Sequence, residues 1–395
     1  MNDFFRNYLD AYVERRGTHS EKWDACEEVF GRADVIPMWV ADMDFRTVPE
    51  VAEAVQTRAQ HAIYGYTENT AEEKAAEIAW LKRRYDFDAL PDQIMYSPGV
   101  VDSIFFCVRA LTRPGDKVLI QPPVYGPFFR AVNMFDRTLV ENRLILADGI
   151  WRMDYDLMKK QMSDGVKMMI LCNPHNPVGR VWRREELQRM LDIANRYGVI
   201  VVSDEIHADF NLCDHRQVRV LSLENADNCV MLTSATKSFN LAGLRQSSII
   251  VRNEKLRSSI RAEITRAHAG TPNIFGAVAQ TAAYTYGDAW MDAVVEYIRE
   301  NRDYAVKYIR ERIPQIICYP QEGTYLMWLD CRNVGYTAED FARMLVDVAH
   351  VGLNPGTDYG EAGRGFFRIN LATRRENVEK TLKNIERMFG VINRA

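Results

Sequence analysis

The chain is poor in cysteine, with seven in 395 residues. They stand at 26, 107, 172, 213, 229, 318 and 331, odd in number and without a CxxC pair. Such spacing argues against a disulfide framework and against a zinc site, and it fits a reducing compartment. No metal site is expected. Long apolar runs are missing too, and nothing approaches the ~18–20 residues of a membrane span. The opening stretch, MNDFFRNYLDAYVERRG, is charged throughout and lacks the apolar core of a signal peptide. Nor does charge of one sign dominate. Fifty Lys and Arg against 54 Asp and Glu leave a formal net charge of -4, which recruits neither nucleic acid nor an acidic membrane surface. Internal repeats and low-complexity tracts are absent. The expectation is a cytoplasmic globular protein, long enough for two domains.

What is present is alternation. Residues 49–62 and 72–84 read as amphipathic helices. Apolar strand candidates follow at 117–121, 166–172, 199–203, 230–233 and 247–251, with helix candidates at 101–112 and 184–197 between them. This pattern predicts right-handed βαβ units and a mostly parallel sheet buried on both faces. After a long helical stretch near 288–313 the pattern changes to short strands (323–330, 366–371) interleaved with helices near 337–348 and 374–389. The expected division is a large α/β domain over 46–287. A smaller α+β domain takes 288–395 together with 1–45, whose apolar residues precede the large sheet.

Chemistry-bearing residues cluster just past the predicted strands. Lys237, in Ser234-Ala-Thr-Lys-Ser-Phe-Asn-Leu-Ala-Gly-Leu-Arg245, follows the strand 230–233, at the sheet edge where ligands bind. A lysine amine there forms a Schiff base with an aldehyde, and burial lowers its pKa. Ser234 and Arg245 flank it with the hydroxyl and cation that a phosphate takes. Taken alone, Lys237 is a surface charge. Asp204, in Val-Val-Ser-Asp-Glu-Ile-His207, ends another strand. It suits the protonated nitrogen of a pyridine ring, or equally an N-cap. His207 suits a ring hydroxyl, or is an ordinary polar residue. Asn176, in Cys-Asn-Pro-His-Asn-Pro-Val-Gly179, sits on a proline-held loop. The amides of Val100 and Val101, at a helix start after Ser97-Pro-Gly99, form an anion seat. Tyr125 lies past the strand 117–121, placed to stack on a flat ring or to fill the core. Each is weak singly. In combination they describe one site.

At this point the chain resembles the fold-type I, pyridoxal 5′-phosphate (PLP)-dependent class I/II aminotransferase superfamily. The resemblance rests on NPxNPxG, then Asp-Glu, then SxxKxxxxxGxR, then Phe-Phe-Arg-Ile-Asn, in that order. It implies a PLP-dependent transferase-like fold with a mostly parallel seven-stranded sheet. Lys237 would tether the cofactor, Asp204 would pair with its ring nitrogen, and Asn176 and His207 would meet its hydroxyl. Tyr125 would cover its face, while Val100, Val101, Ser234 and Arg245 would hold its phosphate. Arg368 would clamp the substrate α-carboxylate, helped by Asn176 and by the backbone N–H of Ala41. Tyr66, or Tyr64 if the register slips by two, would reach the neighbouring subunit's phosphate, implying a homodimer.

The stretches 37–45 (PMWVADMDF), 64–67, 122–125, 204–207 and 237–240 are similar to the MalY/PatB family of C–S β-lyases. Arg245 departs from many of those lyases and matches general aminotransferases. The resemblance therefore implies cleavage of cystathionine or a related cysteine S-conjugate, with Lys237, Tyr125 and Asp204 as the catalytic set. An aminotransferase is the alternative. A non-catalytic regulatory protein is disfavoured, because Lys237, Asp204 and Arg368 are intact and the first motif begins by residue 37.

Overall fold

The computed structural model describes residues 1–392. At its centre lie seven strands: β1 (Ile94–Ser97), β2 (Lys117–Ile120), β3 (Thr138–Glu141), β4 (Val166–Cys172), β5 (Ile200–Asp204), β6 (Cys229–Thr233) and β7 (Ser247–Ile250). Their order across the sheet is β1-β7-β6-β5-β4-β2-β3. β3, β2, β4, β5 and β6 run parallel, while β7 is antiparallel to both its neighbours, β6 and β1. The fold is therefore the mostly parallel α/β sheet that the alternation predicts.

Burial on both faces explains the composition of the central strands. β6 (CVMLT) is buried at every position and β4 (VKMMILC) at every position but Lys167. Strands β1 and β3 lack that signature. Edge strand β3 is half-exposed and β1 ends in Tyr96-Ser97, so neither stands out from its sequence. Helices cover both faces with an apolar stripe, as in Arg184–Arg196, where Leu187, Met190, Leu191 and Ala194 point inward.

A second, antiparallel sheet joins Ile317–Cys318, Leu326–Asp330, Phe366–Asn370 and Asn354–Pro355 in that spatial order. The N-terminal segment is wired to this part of the chain, with Ile36–Pro37 pairing in parallel with Val351–Gly352. From there Trp39–Phe45 crosses to the edge of the large sheet. The 25-residue helix Asp288–Arg312 runs between the two parts, burying Trp290, Val294, Tyr297 and Ile298 beside Leu9 and Phe45.

Candidate active site

Strand direction decides which loops meet. The parallel strands β2, β4, β5 and β6 all deliver their C-terminal ends to one edge of the sheet. That edge receives the loops bearing Tyr125, Asn176, His207 and Lys237. Because β7 runs backwards, the residues before it arrive at the same edge, and Arg245 among them. β1 then points the same way as the parallel strands, so Gly99 and the helix Val100–Leu111 start there too.

These loops enclose a cavity of about 190 Å³. Ala41, Val100, Val101, Tyr125, Asn176, Asp204, His207, Lys237 and Arg245, nine of the predicted site residues, line it. The other three, Ser234, Arg368 and Tyr66, do not. Ser234 is turned inward: its Oγ donates to the Gln246 carbonyl at 2.6 Å and accepts from Thr236 N at 3.0 Å, capping the short helix Ala235–Ser238. Thr236 lines the cavity in its place. Arg368 lies behind Asn176, donating from Nη1 to Asn176 Oδ1 at 3.2 Å and from Nη2 to Trp39 O and Asn354 Oδ1. Tyr66 is fully exposed and Tyr64 largely so, its hydroxyl spent on the Ala59 carbonyl.

Desolvation sets the electrostatics of the site. Lys237 is half-buried with one hydrogen bond, to the Ala41 carbonyl, and its desolvation brings the amine down to about 8. Asp204 is buried with no cation bonded to it, and burial pushes its carboxyl up to about 7, against one donation from Ile206 N at 3.1 Å. Burial drives His207 well below the ordinary imidazole range, and its Nδ1 has no hydrogen-bond partner. Arg368 Nε is likewise unpartnered. The helix Val100–Leu111 begins without a side-chain cap, leaving its first N–H groups free for an anion.

A flat ligand with an aldehyde carbon, a basic ring nitrogen, a phenolic oxygen and a phosphate would satisfy Lys237, Asp204, His207 and the helix start in turn, leaving Arg368 for a second molecule. PLP carries all four, so the residues present fit it. Sequence inspection alone did not single out Thr236, Tyr325, Asn354 or Asn370. Two of these had a signal: Thr236, inside the Ser-Ala-Thr-Lys run, and Asn370, the last residue of Phe-Phe-Arg-Ile-Asn.

Comparison with known proteins agrees with this geometry. Residues 33–385 match the model of the aminotransferase class I and II family. Cystathionine beta-lyase PatB of Bacillus subtilis is 38% identical over 381 residues, covering 96% of this chain and 98% of PatB. Protein MalY of Escherichia coli is 33% identical, over 93% of this chain and 95% of MalY. Among solved structures, cystalysin from Treponema denticola, which contains a pyridoxal 5′-phosphate cofactor, superimposes with a TM-score of 0.94. Its identity is 31%, covering 97% of this chain and 99% of cystalysin. With a half-buried lysine and a buried aspartate facing one cavity and these relatives along nearly its whole length, the chain belongs to the class I and II aminotransferase family, in its PatB/MalY group.

Proposed function

We propose that this protein is a PLP-dependent C–S β-lyase. It cleaves cystathionine or a related cysteine S-conjugate by α,β-elimination and, with one water consumed in hydrolysis, yields a thiol, pyruvate and ammonia. The observation that carries the proposal is a half-buried lysine with a lowered pKa facing the same cavity as a buried carboxylate that has no salt-bridge partner. The similarity to PatB selects the lyase outcome.

Lys237 would hold the cofactor, Asp204 its ring nitrogen, Asn176 and His207 its ring oxygen, and Tyr125 its face. Val100, Val101, Thr236 and Arg245, which line the same cavity, would hold its phosphate. When bound, PLP supplies an electron sink that acidifies the substrate α-C–H. The protein supplies the rest. Arg368 holds the α-carboxylate, with the Asn176 amide and the backbone at Ala41 fixing its orientation. The released Lys237 amine, neutral in part near pH 8, takes the α-proton. Asp204 stays anionic beside the charged nitrogen. The leaving sulfur, with a thiol pKa of about 8.5, requires little acid help. Tyr125, kept protonated by burial, is positioned to give it.

Two further assignments accompany this one. The exposed run Ile63, Tyr64 and Tyr66 is the face through which a second copy completes the site, giving a homodimer. Segment 1–45 belongs with 288–395, a division supported by the pairing of Ile36–Pro37 with Val351–Gly352. Among the described residues no helix is long and apolar enough to cross a membrane, and a cytoplasmic setting is proposed with it.

The decisive assay incubates the protein with PLP and cystathionine, no 2-oxo acid added, and measures pyruvate and free thiol. Stoichiometric appearance of both is expected. Absence of pyruvate, with amino-group transfer on adding a 2-oxo acid, would establish an aminotransferase instead.

A further inference from the structure

The segment Trp39–Phe45 borders the cavity at Ala41, with its backbone held by side chains from the four-stranded sheet and the loop after β6. Arg368 Nη2 donates to Trp39 O at 2.9 Å. The Asn370 amide straddles the next turn of chain, giving its Nδ2 hydrogens to Val40 O at 2.7 Å and Asp42 O at 2.6 Å. Its Oδ1 accepts from Ala372 N at 2.8 Å, so the amide cannot be reversed without losing all three bonds. Asn240 does the same further on, meeting Met43 N, Met43 O and Phe45 O. Charge fixes the flank: Lys22 and Arg15 bind the carboxylates of Asp42 and Asp44.

Inside the Asn370 clamp, between Val40 and Asp42, lies Ala41, whose carbonyl accepts twice. One donor is Lys237 Nζ. The other is the Tyr325 hydroxyl at 2.8 Å. Tyr325 is wholly buried, its ring edge-on to Phe210 at 4.7 Å and to His207 at 5.5 Å. Its hydroxyl therefore has little freedom to turn elsewhere, and burial keeps it protonated and donating.

We propose that Tyr325 is a positioning residue for Lys237, acting through the Ala41 carbonyl on which the untethered amine rests. Two donors on one carbonyl oxygen compete for its electron density. An ammonium benefits more from that oxygen than a neutral amine does, because its hydrogen bond is charge-assisted. The share taken by Tyr325 therefore weakens the ammonium form and favours the neutral amine. The neutral amine is the form that attacks an aldehyde and accepts a proton. The other groups facing Lys237 do not replace this contribution. Asp42 and Glu21 on one side and Asp204 on another favour the ammonium, Arg368 opposes it, and His207 is neutral. The inference rests on Lys237 being the cofactor lysine of the proposed function.

The test uses the full chain freed of cofactor, pulse-labelled with acetic anhydride across a pH series, with acetylation at each lysine read by mass spectrometry. Only the neutral amine reacts. Tyr325→Phe keeps the ring and its packing, and an unchanged melting temperature verifies that. The expected result is a rise in the Lys237 midpoint of about half to one pH unit, so that labelling at neutral pH falls about three- to tenfold. Lys22 is the internal reference, because it is tied to Asp42 and Asp44 of the same segment. It should stay as protected as in wild type. An unchanged or lowered Lys237 midpoint overturns the proposal. So does a parallel rise in Lys22 labelling, which would mean that the whole segment has loosened. A wild-type Lys237 that added PLP fails to protect from labelling overturns this inference and the assignment of Lys237 together. A wild type that is protected but yields no pyruvate from cystathionine overturns only the lyase reaction.

Discussion

Arg368 and Asn176, 192 positions apart in the chain, meet at 3.2 Å, with the arginine Nη1 donating to the amide Oδ1. The bond ties the four-stranded sheet to the loop after β4. It also sets what each residue has left: Asn176 keeps its amide hydrogens for the cavity, and Arg368 keeps an unpartnered Nε. Lysine in place of Arg368 cannot reach Asn176, Trp39 O and Asn354 at once. Arg368→Lys should therefore lower kcat/KM for cystathionine about ten- to a hundredfold, the equivalent of one charge-assisted hydrogen bond of about 1.5–3 kcal/mol. The effect should fall mainly on KM, with the absorbance of bound PLP unchanged. Steady-state kinetics beside an absorption spectrum checks both halves.

Lys237→Ala removes the amine that tethers PLP and the base that lifts the α-proton. The wild-type protein, incubated with PLP, should show an absorbance band near the visible edge that survives gel filtration. The variant should lose that band and all measurable pyruvate formation. A wild type without the band would refute the cofactor assignment itself.

Much of this site was legible because it follows strands. The parallel strands β4 and β6 announce themselves as unbroken apolar runs, and the residues just past them inherit a predictable place at the sheet edge. The half-exposed β3 and the short β1 carry no such run and were missed. The sequence suggests that Ser234 faces the phosphate, but its hydroxyl is consumed by the Gln246 carbonyl, a contact set by how β7 returns beside β6. The roles of Tyr325, Asn354 and Asn370, the last of them in plain sight within Phe-Phe-Arg-Ile-Asn, are illegible for a different reason. These residues come from the other sheet and act on backbone carbonyls or on Arg368, and a carbonyl oxygen has no letter in a sequence.

Lys22 is wholly buried, 2.8 Å from Asp44 and 3.7 Å from Asp42, with Arg15 on the far side of both carboxylates. Removing one partner of a buried ion pair strands the other's charge. Lys22→Ala should cost about 3 kcal/mol of stability, the low end for such a break because Arg15 stays. Chemical denaturation should show a lower midpoint with an unchanged slope. Since the cluster anchors Trp39–Phe45, the variant should also bind carboxylate-bearing substrate more weakly.

Asp204 makes the sharpest pH prediction. It is buried, and its carboxyl titrates at about 7 in the folded protein against 3.8 in an unfolded chain. Between those values the folded state binds the extra proton, so stability of the cofactor-free protein falls as pH rises through this window. The cost is absent below about pH 4 and complete above about pH 7. A shift of that size corresponds to on the order of 4 kcal/mol, trimmed by the attraction between Asp204 and the Lys237 ammonium. Asn has the same shape and never ionises. Cofactor-free Asp204→Asn should therefore be more stable than wild type at pH 8, and the gap should close toward pH 4. With PLP bound the sign reverses, because the carboxylate then has a cationic ring nitrogen to neutralise. Denaturation curves for both proteins at several pH values, with and without PLP, measure each gap directly. A gap in the cofactor-free pair that does not change with pH would show that Asp204 is not carrying a buried, uncompensated charge.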